Sequence, residues 1–425
     1  MNMPWTLARQ TARAAAKPLD ATELPLPDAL GLALASAVRA LASQPTCDTS
    51  AMDGYAVAGR GPWTVVGRVA AGEPVPPVFR RPGEASQDFS RSGEAASQDC
   101  LRPGEAFGVA TGAPVPAGTE SVIPVEHCSI ADAILHHAPN ATHAPPHAHS
   151  PTAGHLPPHS AAPPPLGKHI RRRGEDWSAG DELIPAGSLI TPAVLGLAAA
   201  AGHDTVLAHR RPRIAVIVTG DELLQSGPPT PGRVRDAIGP MLPGLLPRAD
   251  LLGTTYLRDD PSALTDALTC DNADVLVTCG ATSKGPADHL RGVLADLKAE
   301  ILVSGVACRP GHPMLLAALP DGRCVVGLPG NPFAAYAAVL TLLHPLLDTL
   351  GGHAPKPEIT ARLDNPSAHP HDTRLIPVAR TGGGVTPVGH DRPGSLWGAA
   401  LADALAVVPP GYEGGEVEII SGSAS

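Results

Sequence analysis

The sequence predicts a multi-domain α/β protein organised around a parallel sheet buried on both faces, and three observations predict it. Between Arg210 and Leu350 one grammar occurs three times: a short apolar run, a glycine-containing loop, then a helical pattern. The apolar runs do not alternate with polar residues, as strands covered on both faces require. At 425 residues, 43% of them hydrophobic, the chain is too long for one core, so two to four domains are expected.

The first run, Arg213-Ile-Ala-Val-Ile-Val218, enters Thr219-Gly-Asp-Glu-Leu223. Asp274-Val-Leu-Val-Thr278 enters Gly280-Ala-Thr-Ser-Lys-Gly285, with Asp288 beyond. Cys324-Val-Val-Gly327 enters Leu328-Pro-Gly-Asn-Pro332 and then a helical stretch from Phe333 to Leu343. Asn331 suits the cap of that helix and Pro332 its first position. All three loops then fall at the carboxyl ends of strands, where open α/β sheets bind ligands.

Before this sheet, Thr6 to Ala16 has the composition of a helix, and Leu30 to Leu41 carries short runs of Leu and small residues. Asp53-Gly54 is a turn signal between small-residue stretches and, taken alone, reads as a hairpin turn. Residues 56–127 read as β-rich, with Trp63 to Val69 as one strand. Within them Arg81-Pro-Gly-Glu-Ala85 recurs as Arg91-Ser-Gly-Glu-Ala95 and as Arg102-Pro-Gly-Glu-Ala106, a unit too short for a solenoid and expected as duplication in a surface loop. His136 to Leu166 is dense in Pro, Ala and His and reads as a disordered linker with almost nothing to bury. Arg171-Arg-Arg-Gly-Glu-Asp176 suits an anion-holding loop or a salt-bridged hinge, and Pro192 to Ala201 a short helix. After Gly351, short strands at Leu375–Val378, Ala406–Val408 and Val417–Ile420, separated by Gly/Pro turns, predict a small β domain.

Charge and cysteine content exclude several classes. With 31 Lys plus Arg against 41 Asp plus Glu, the net charge of −10 opposes general nucleic-acid binding. The seven cysteines lack any CxxC and read as reduced thiols. No signal-peptide pattern or membrane-spanning apolar stretch is evident, so a cytoplasmic protein is expected. Neither a Walker A motif nor GxGxxG occurs, which disfavours an ATPase or a dinucleotide dehydrogenase.

The loops carry the chemistry. Thr219-Gly-Asp-Glu222 places a hydroxyl and two carboxylates at one strand end, a donor set suited to Mg²⁺ bridging to phosphate. Asp288, and Asp259-Asp260 after Leu257-Arg258, are positioned to extend it, although each acid singly reads as a helix cap or an exposed turn. Gly280–Gly285 and Leu328–Pro332 offer backbone N–H groups next to helix starts, where phosphate is held.

Five motifs occur in order along the chain: Ser50-Ala-Met-Asp-Gly-Tyr-Ala56, Thr111-Gly-Ala-Pro-Val-Pro116, Arg173-Gly-Glu-Asp176, Thr219-Gly-Asp-Glu-Leu223 and Leu328-Pro-Gly-Asn-Pro332. On them the chain resembles the bacterial molybdopterin molybdenumtransferases (MoeA) and the equivalent domain of gephyrin. The resemblance implies a homodimer of four-domain subunits. A three-layer α/β/α molybdopterin-binding domain would take residues 1–24 and 210–350, and a linking domain 25–49 and 168–209. A β-rich lobe would take 50–135, the His/Pro-rich insert 136–167, and a C-terminal β-barrel 355–425. It implies a molybdenum insertase that reacts molybdate with adenylylated molybdopterin, Mg²⁺ assisting and AMP leaving. Molybdopterin adenylyltransferase and molybdoenzyme maturation proteins are the partners implied.

By motif matching, Asp53, Thr111, Asp176, Glu222, Asp259 and Asp288 fall on the family's catalytic positions. Glu222 and Asp288 are the implied Mg²⁺ ligands. Thr219, Gly220, Gly280, Ser283, Gly285, Pro329, Gly330, Asn331 and Pro332 line the implied pterin-phosphate cradle, while Arg309 and Ser395 attract molybdate. The chain departs from the family pattern at Ala281, Lys284, Gly305, His312 and Ile238, with Gly305 and His312 standing where lysines are common. Fewer fixed cations point to a second reading, a weakened paralogue that binds the pterin as carrier or scaffold.

Overall fold

The computed structural model describes residues 2–76, 100–137, 164–269, 272–280, 289–363 and 368–421. The chain divides into two compact units. One comprises Met1–Val38, Ile184–Ala199 and His203–Ser425; the other comprises Arg39–Leu183 and Ala200–Gly202.

The first unit contains the expected buried sheet. Its strands lie in the order Asp250–Leu257, Arg213–Thr219, Val275–Cys279, Cys324–Leu328, Leu315–Ala318, Glu300–Val303. The first four run parallel, and the last two are antiparallel to their neighbours. The reversal has a simple cause. Only residues 319–323 join Ala318 to Cys324, and a parallel crossover needs a dozen or more residues.

Both faces of the sheet are covered. Ile214, Val216, Val218, Val277 and Val326 pack among residues of helices Trp5–Ala14 and Ile238–Leu245 and of the long helix from Pro332 to Leu350. Ile217, Leu276, Leu315 and Val325 pack on the other side with helices Pro261–Leu268 and Leu290–Asp296. The three layers are thus α/β/α, and the non-alternating runs follow from burial on both sides. The helix expected from Thr6 is Trp5–Ala14. Its Trp5 indole donates to the Thr341 hydroxyl at 3.1 Å. Thr341 sits in a π-helical turn, Val339–Leu343, of the long helix. The expectation that no stretch is long and apolar enough for a membrane span is corrected here, because this 19-residue helix is. It is mostly buried inside the protein, which accounts for its composition.

Register is tied at the amino ends of the strands by Asp274. Its carboxylate accepts from both Arg210 Nη atoms at 2.7 and 2.8 Å and from the Arg213 backbone N–H at 2.7 Å. Its own N–H donates to the Arg213 carbonyl, and its carbonyl accepts from Cys324 N–H. Three adjacent strands therefore begin on one residue.

The same unit holds a three-stranded sheet in the order Ala21–Pro25, Thr205–His209, Ala33–Leu34. The boundary read at residue 24 falls inside its first strand. The C-terminal region closes on itself. Thr373–Thr381 pairs with Ala404–Val408, that with Glu416–Ile420, that with Thr360–Arg362, and a Leu363–Val385 bridge leads to Gly384–Pro387, which returns to Thr373–Thr381. This is the expected small barrel.

The second unit is a six-stranded sheet ordered Ser121–Pro124, Gly54–Val57, Glu105–Val109, Trp63–Val69, Ile134–His137, Cys128–Ala131. Asp53-Gly54 is not a hairpin turn, contrary to the local reading. Gly54 opens a central strand, where a Cβ would lie 2.0 Å from the Ile123 carbonyl oxygen. The glycine answers a close backbone approach, not a reversal. The third Arg-Pro-Gly-Glu-Ala copy forms a turn in which Arg102 N–H donates to Glu105 and which enters strand Glu105–Val109. The earlier copies and the His-rich segment 138–163 lie outside the described residues.

Asp274 generates a pH-dependent prediction. Burial opposes its ionisation, but Arg210 and the Arg213 N–H outweigh burial and hold its carboxyl below the ordinary range. A depressed carboxylate contributes stability that is present above its unfolded value, near pH 3.9, and lost as pH falls through the folded value. Asp274→Asn should therefore cost about 1.5–3 kcal/mol in urea unfolding at pH 7. The gap to wild type should close as the pH is taken below about 4.

Candidate functional site

Parallel pairing sets Thr219 beside Leu257, Val218 beside Cys279, and Cys279 beside Leu328. The loops that follow these strands accordingly open on one edge of the sheet. They bring together Thr219–Glu222, Asp259, Gly280 and Leu328–Pro332, which lie far apart in sequence. Asp288, Ser283 and Gly285, with Ala281 and Lys284, lie outside the described residues.

The floor of this edge is bare backbone. Gly280 has φ +93°, and a Cβ there would meet the Thr219 carbonyl oxygen at 2.9 Å. A Cβ on Gly330 would lie 3.9 Å from Gly280 Cα, so the two glycine loops nearly touch. Thr219 is buried and its hydroxyl donates to the Cys279 carbonyl at 3.3 Å, which faces it into the sheet. Gly220 (φ +144°) turns the chain outward and presents Glu222, which is exposed. Asp259 is half-buried, and its Oδ2 accepts from the Asp221 N–H at 3.4 Å. Asp260, by contrast, caps helix Pro261–Leu268 through Ser262 N–H and is structural.

The helix after Leu328–Pro332 corrects one expectation. Asn331 occupies the cap position and Pro332 the first turn, but the Asn331 side chain makes no capping hydrogen bond. The N–H groups of Phe333 and Ala334 donate instead to the Pro393 carbonyl, at 2.9 and 3.3 Å. A loop of the C-terminal barrel thus covers this helix start and brings Ser395 to the same edge. The N–H groups left for an anion are those of the Gly330 loop ahead of the helix. The 304–314 connection reaches this edge as well, because Leu315 pairs with Gly327. There Arg309 is largely exposed, with its Nε on Asp372 at 2.7 Å. Gly305 has φ +139°, and a Cβ would lie 2.9 Å from the Asn2 side chain and 3.2 Å from the His312 carbonyl. The loop is shaped around a glycine at that position.

Asp236 went unnoticed in the sequence. It is buried, accepts from Ile238 and Gly239 N–H at 2.9 and 3.1 Å, and takes the Tyr256 hydroxyl at 2.8 Å. Burial, then the bond to Asp236, pushes the Tyr256 hydroxyl pKa up. Asp236 N–H in turn binds the Leu224 carbonyl, and Val234 N–H binds that of Glu222. Asp236 therefore anchors the segment that carries Glu222. An acid two residues before an apolar helix was the available signal. Ile238, noted as a departure, is buried in the core.

In the second unit the structure joins two predicted residues separated by 58 positions. Asp53 Oδ1 accepts from Thr111 N–H at 2.7 Å and from the Thr111 hydroxyl at 3.1 Å. Asp176 pairs with Arg171 at 2.5 Å, and Arg172 pairs with Asp48 at 2.5 Å. The arginine run is thus a salt-bridged turn, with two of its three guanidinium groups on carboxylates.

Family models cover nearly the whole chain. Residues 3–202 match the MoeA N-terminal region (domains I and II), residues 215–349 a probable molybdopterin binding domain, and residues 360–421 the MoeA C-terminal region (domain IV). A molybdopterin molybdenumtransferase from Synechococcus elongatus is 31% identical over 354 residues, spanning 79% of this chain and 77% of that protein. Molybdopterin molybdenumtransferase 2 of Mycobacterium tuberculosis is 32% identical over 335 residues, spanning 76% and 74%. The chain belongs to the molybdopterin molybdenumtransferase family. Two crystal structures of the molybdopterin biosynthesis MoeA protein from Pyrococcus horikoshii share its fold, with TM-scores of 0.71 and 0.68 at 24% and 21% identity. They cover 100% and 99% of this chain and all of theirs. Members of this family are transferases of molybdenum cofactor biosynthesis, and the sheet edge described above lies in the segment matched as molybdopterin-binding.

Asp236→Ala removes the acceptor for three donors. It should cost about 2–4 kcal/mol in urea unfolding, combining a lost cap with unpaired buried groups. Asp236→Asn, which keeps an acceptor, should cost less.

Proposed function

We propose that this chain is a molybdenum insertase: it binds adenylylated molybdopterin, accepts molybdate, and releases AMP as molybdenum passes to the dithiolene. The observation that carries this reading is the convergence, at one edge of the parallel sheet, of two side-chain-free glycine loops with the carboxylates of Glu222 and Asp259. Glycine loops let phosphate approach the backbone closely, and carboxylates without thiol or imidazole partners fit a hard cation.

Among the described residues no three acidic, His or Cys side chains gather into a metal cluster. Mg²⁺ keeps several waters and is bound by one or two carboxylates together with substrate phosphate. Glu222, with Asp288, is assigned to hold it, and when bound it supplies charge neutralisation at the phosphoanhydride. The residues of the chain do the rest. The Gly280 and Gly330 loops seat the pterin phosphate, Thr219 packs the floor beneath them, and Asp259 orders the Asp221 N–H beside Glu222. Arg309, held by Asp372 through Nε, keeps its outer nitrogens for an oxyanion, and Ser395 offers a hydroxyl from the covering loop. Asp53, Thr111 and Asp176 are assigned to the same reaction by their place in the family motifs, and the working assembly is read as a homodimer.

One observation favours the carrier reading. Gly305 stands where the family resemblance implies a lysine, and its positive φ with the His312 carbonyl 3.2 Å from a Cβ strains any side chain there. A single measurement separates the two. Wild type mixed with adenylylated molybdopterin, Mg²⁺ and molybdate should release AMP in a molybdate-dependent manner. Glu222→Ala should lower that rate about 100-fold or more, the scale of a metal's charge stabilisation, while the fold survives. An unchanged rate in that variant removes Glu222 from the mechanism, and tight binding without release by wild type makes the chain a carrier.

A further inference from the structure

At the sheet edge away from the glycine loops, the first unit has a cavity of about 300 Å³ that none of the sequence motifs accounts for. Its place follows from one wall, Leu245 to Arg248, which leads into the amino end of strand Asp250–Leu257. Helix Trp5–Ala14, the second half of the Pro332–Leu350 helix and the last barrel strand supply the others. The volume sits at the lower end of the roughly 300–1,000 Å³ of small-molecule sites. Trp5, Leu245, Leu340, Leu347 and Ile420, all buried, give it apolar walls.

Arg9 faces this space with donors to spare. The π-helical turn sends the His344 N–H to the Val339 carbonyl, and Pro345 has no N–H to give, so the Leu340 carbonyl lacks a helical donor. Arg9 Nη1 supplies one at 2.8 Å. The guanidinium also lies over the Trp5 ring, 4.8 Å from its centroid, which fixes its plane. Of the donors an arginine carries, only this one meets an acceptor among the described residues. Glu418 Oε1 stands 3.9 Å away, beyond hydrogen-bond reach, although the two side chains are only 16% and 18% exposed. Burial pushes the Glu418 carboxyl up against the pull of Arg9, and burial likewise lowers Arg9 against the pull of Glu418. The pair is therefore desolvated and incompletely satisfied. Nearby, Arg248 donates to Asp348 at 3.1 Å and His344 to the Leu245 carbonyl at 2.7 Å, so both are engaged.

Chemistry narrows the occupant. A guanidinium edge with unused N–H groups matches a carboxylate. Around the cavity Arg9, Arg13, Arg248 and Lys356 outnumber Asp348, Glu358 and Glu418 by a single charge, which favours a monoanion over a dianion. The aliphatic and indole walls take an apolar body. We propose that this cavity binds a small monocarboxylate, with its carboxylate on Arg9 and its apolar body against Leu245, Leu347 and Ile420. Glu418 then competes with the ligand for Arg9, and the site is independent of the insertase reading. The test titrates benzoate into the full chain by calorimetry, with benzamide as the neutral isostere and sulfate as the dianion. Wild type should bind benzoate about tenfold or more tightly than either, the scale of one charged hydrogen bond. Arg9→Ala should weaken benzoate by a similar factor and leave benzamide as it was. Glu418→Gln, which keeps the volume and removes the competing carboxylate, should tighten benzoate. Should Arg9→Ala fail to fold, Glu418→Gln decides alone, because a merely structural Arg9–Glu418 pair predicts no gain in anion affinity. Benzoate affinity that Glu418→Gln leaves unchanged or lowers overturns the site, as does affinity indifferent to a folded Arg9→Ala. No benzoate binding by wild type at millimolar concentration overturns it outright.

Discussion

Asp274 sits where three strands of the parallel sheet begin, and its carboxylate and backbone hold two of them directly while its carbonyl meets the third. A parallel sheet has no hairpins to set its register, so alignment must come from side-chain burial and from contacts such as this one. Because the strands start together and run for similar lengths, they end together. The loops after Thr219, Leu257, Cys279 and Leu328 owe their meeting to that alignment. A slip of one residue would turn every buried Val and Ile of a strand to the opposite layer, so the two apolar layers on either side enforce the same register.

Around that edge the sequence spends its unusual residues. Gly280 and Gly330 remove side chains where two loops nearly touch, and Gly220 turns Glu222 outward. Asp236, deep under the neighbouring segment, fixes a helix start, a tyrosine and the backbone beside Glu222 at once. The barrel contributes by covering the Pro332 helix start with the Pro393 carbonyl. The free N–H groups this edge offers are therefore those of the loops, and little those of the helix terminus itself.

Much of this was legible before any coordinates. The non-alternating runs implied a sheet covered on both faces, and the loops after Val218, Thr278 and Gly327 were expected to meet at one edge, because both readings rest on short-range patterns. What failed was long-range. Gly54 looked like a turn because Asp-Gly usually is one, yet its requirement comes from Ile123, 69 residues later in the chain. Asn331 looked like a cap, but the donors it would satisfy are taken by a segment 60 residues further on. The antiparallel edge was within reach, because residues 319–323 are too few for any other connection.

Hydrogen exchange on the intact chain tests most directly whether the strand ends form the substrate site. Adding adenylylated molybdopterin should slow exchange together in the loops at 219–224, 258–260 and 329–333, and leave the opposite edge, at 246–249 and 319–323, unchanged. Protection at the opposite edge instead, or at neither, would contradict it.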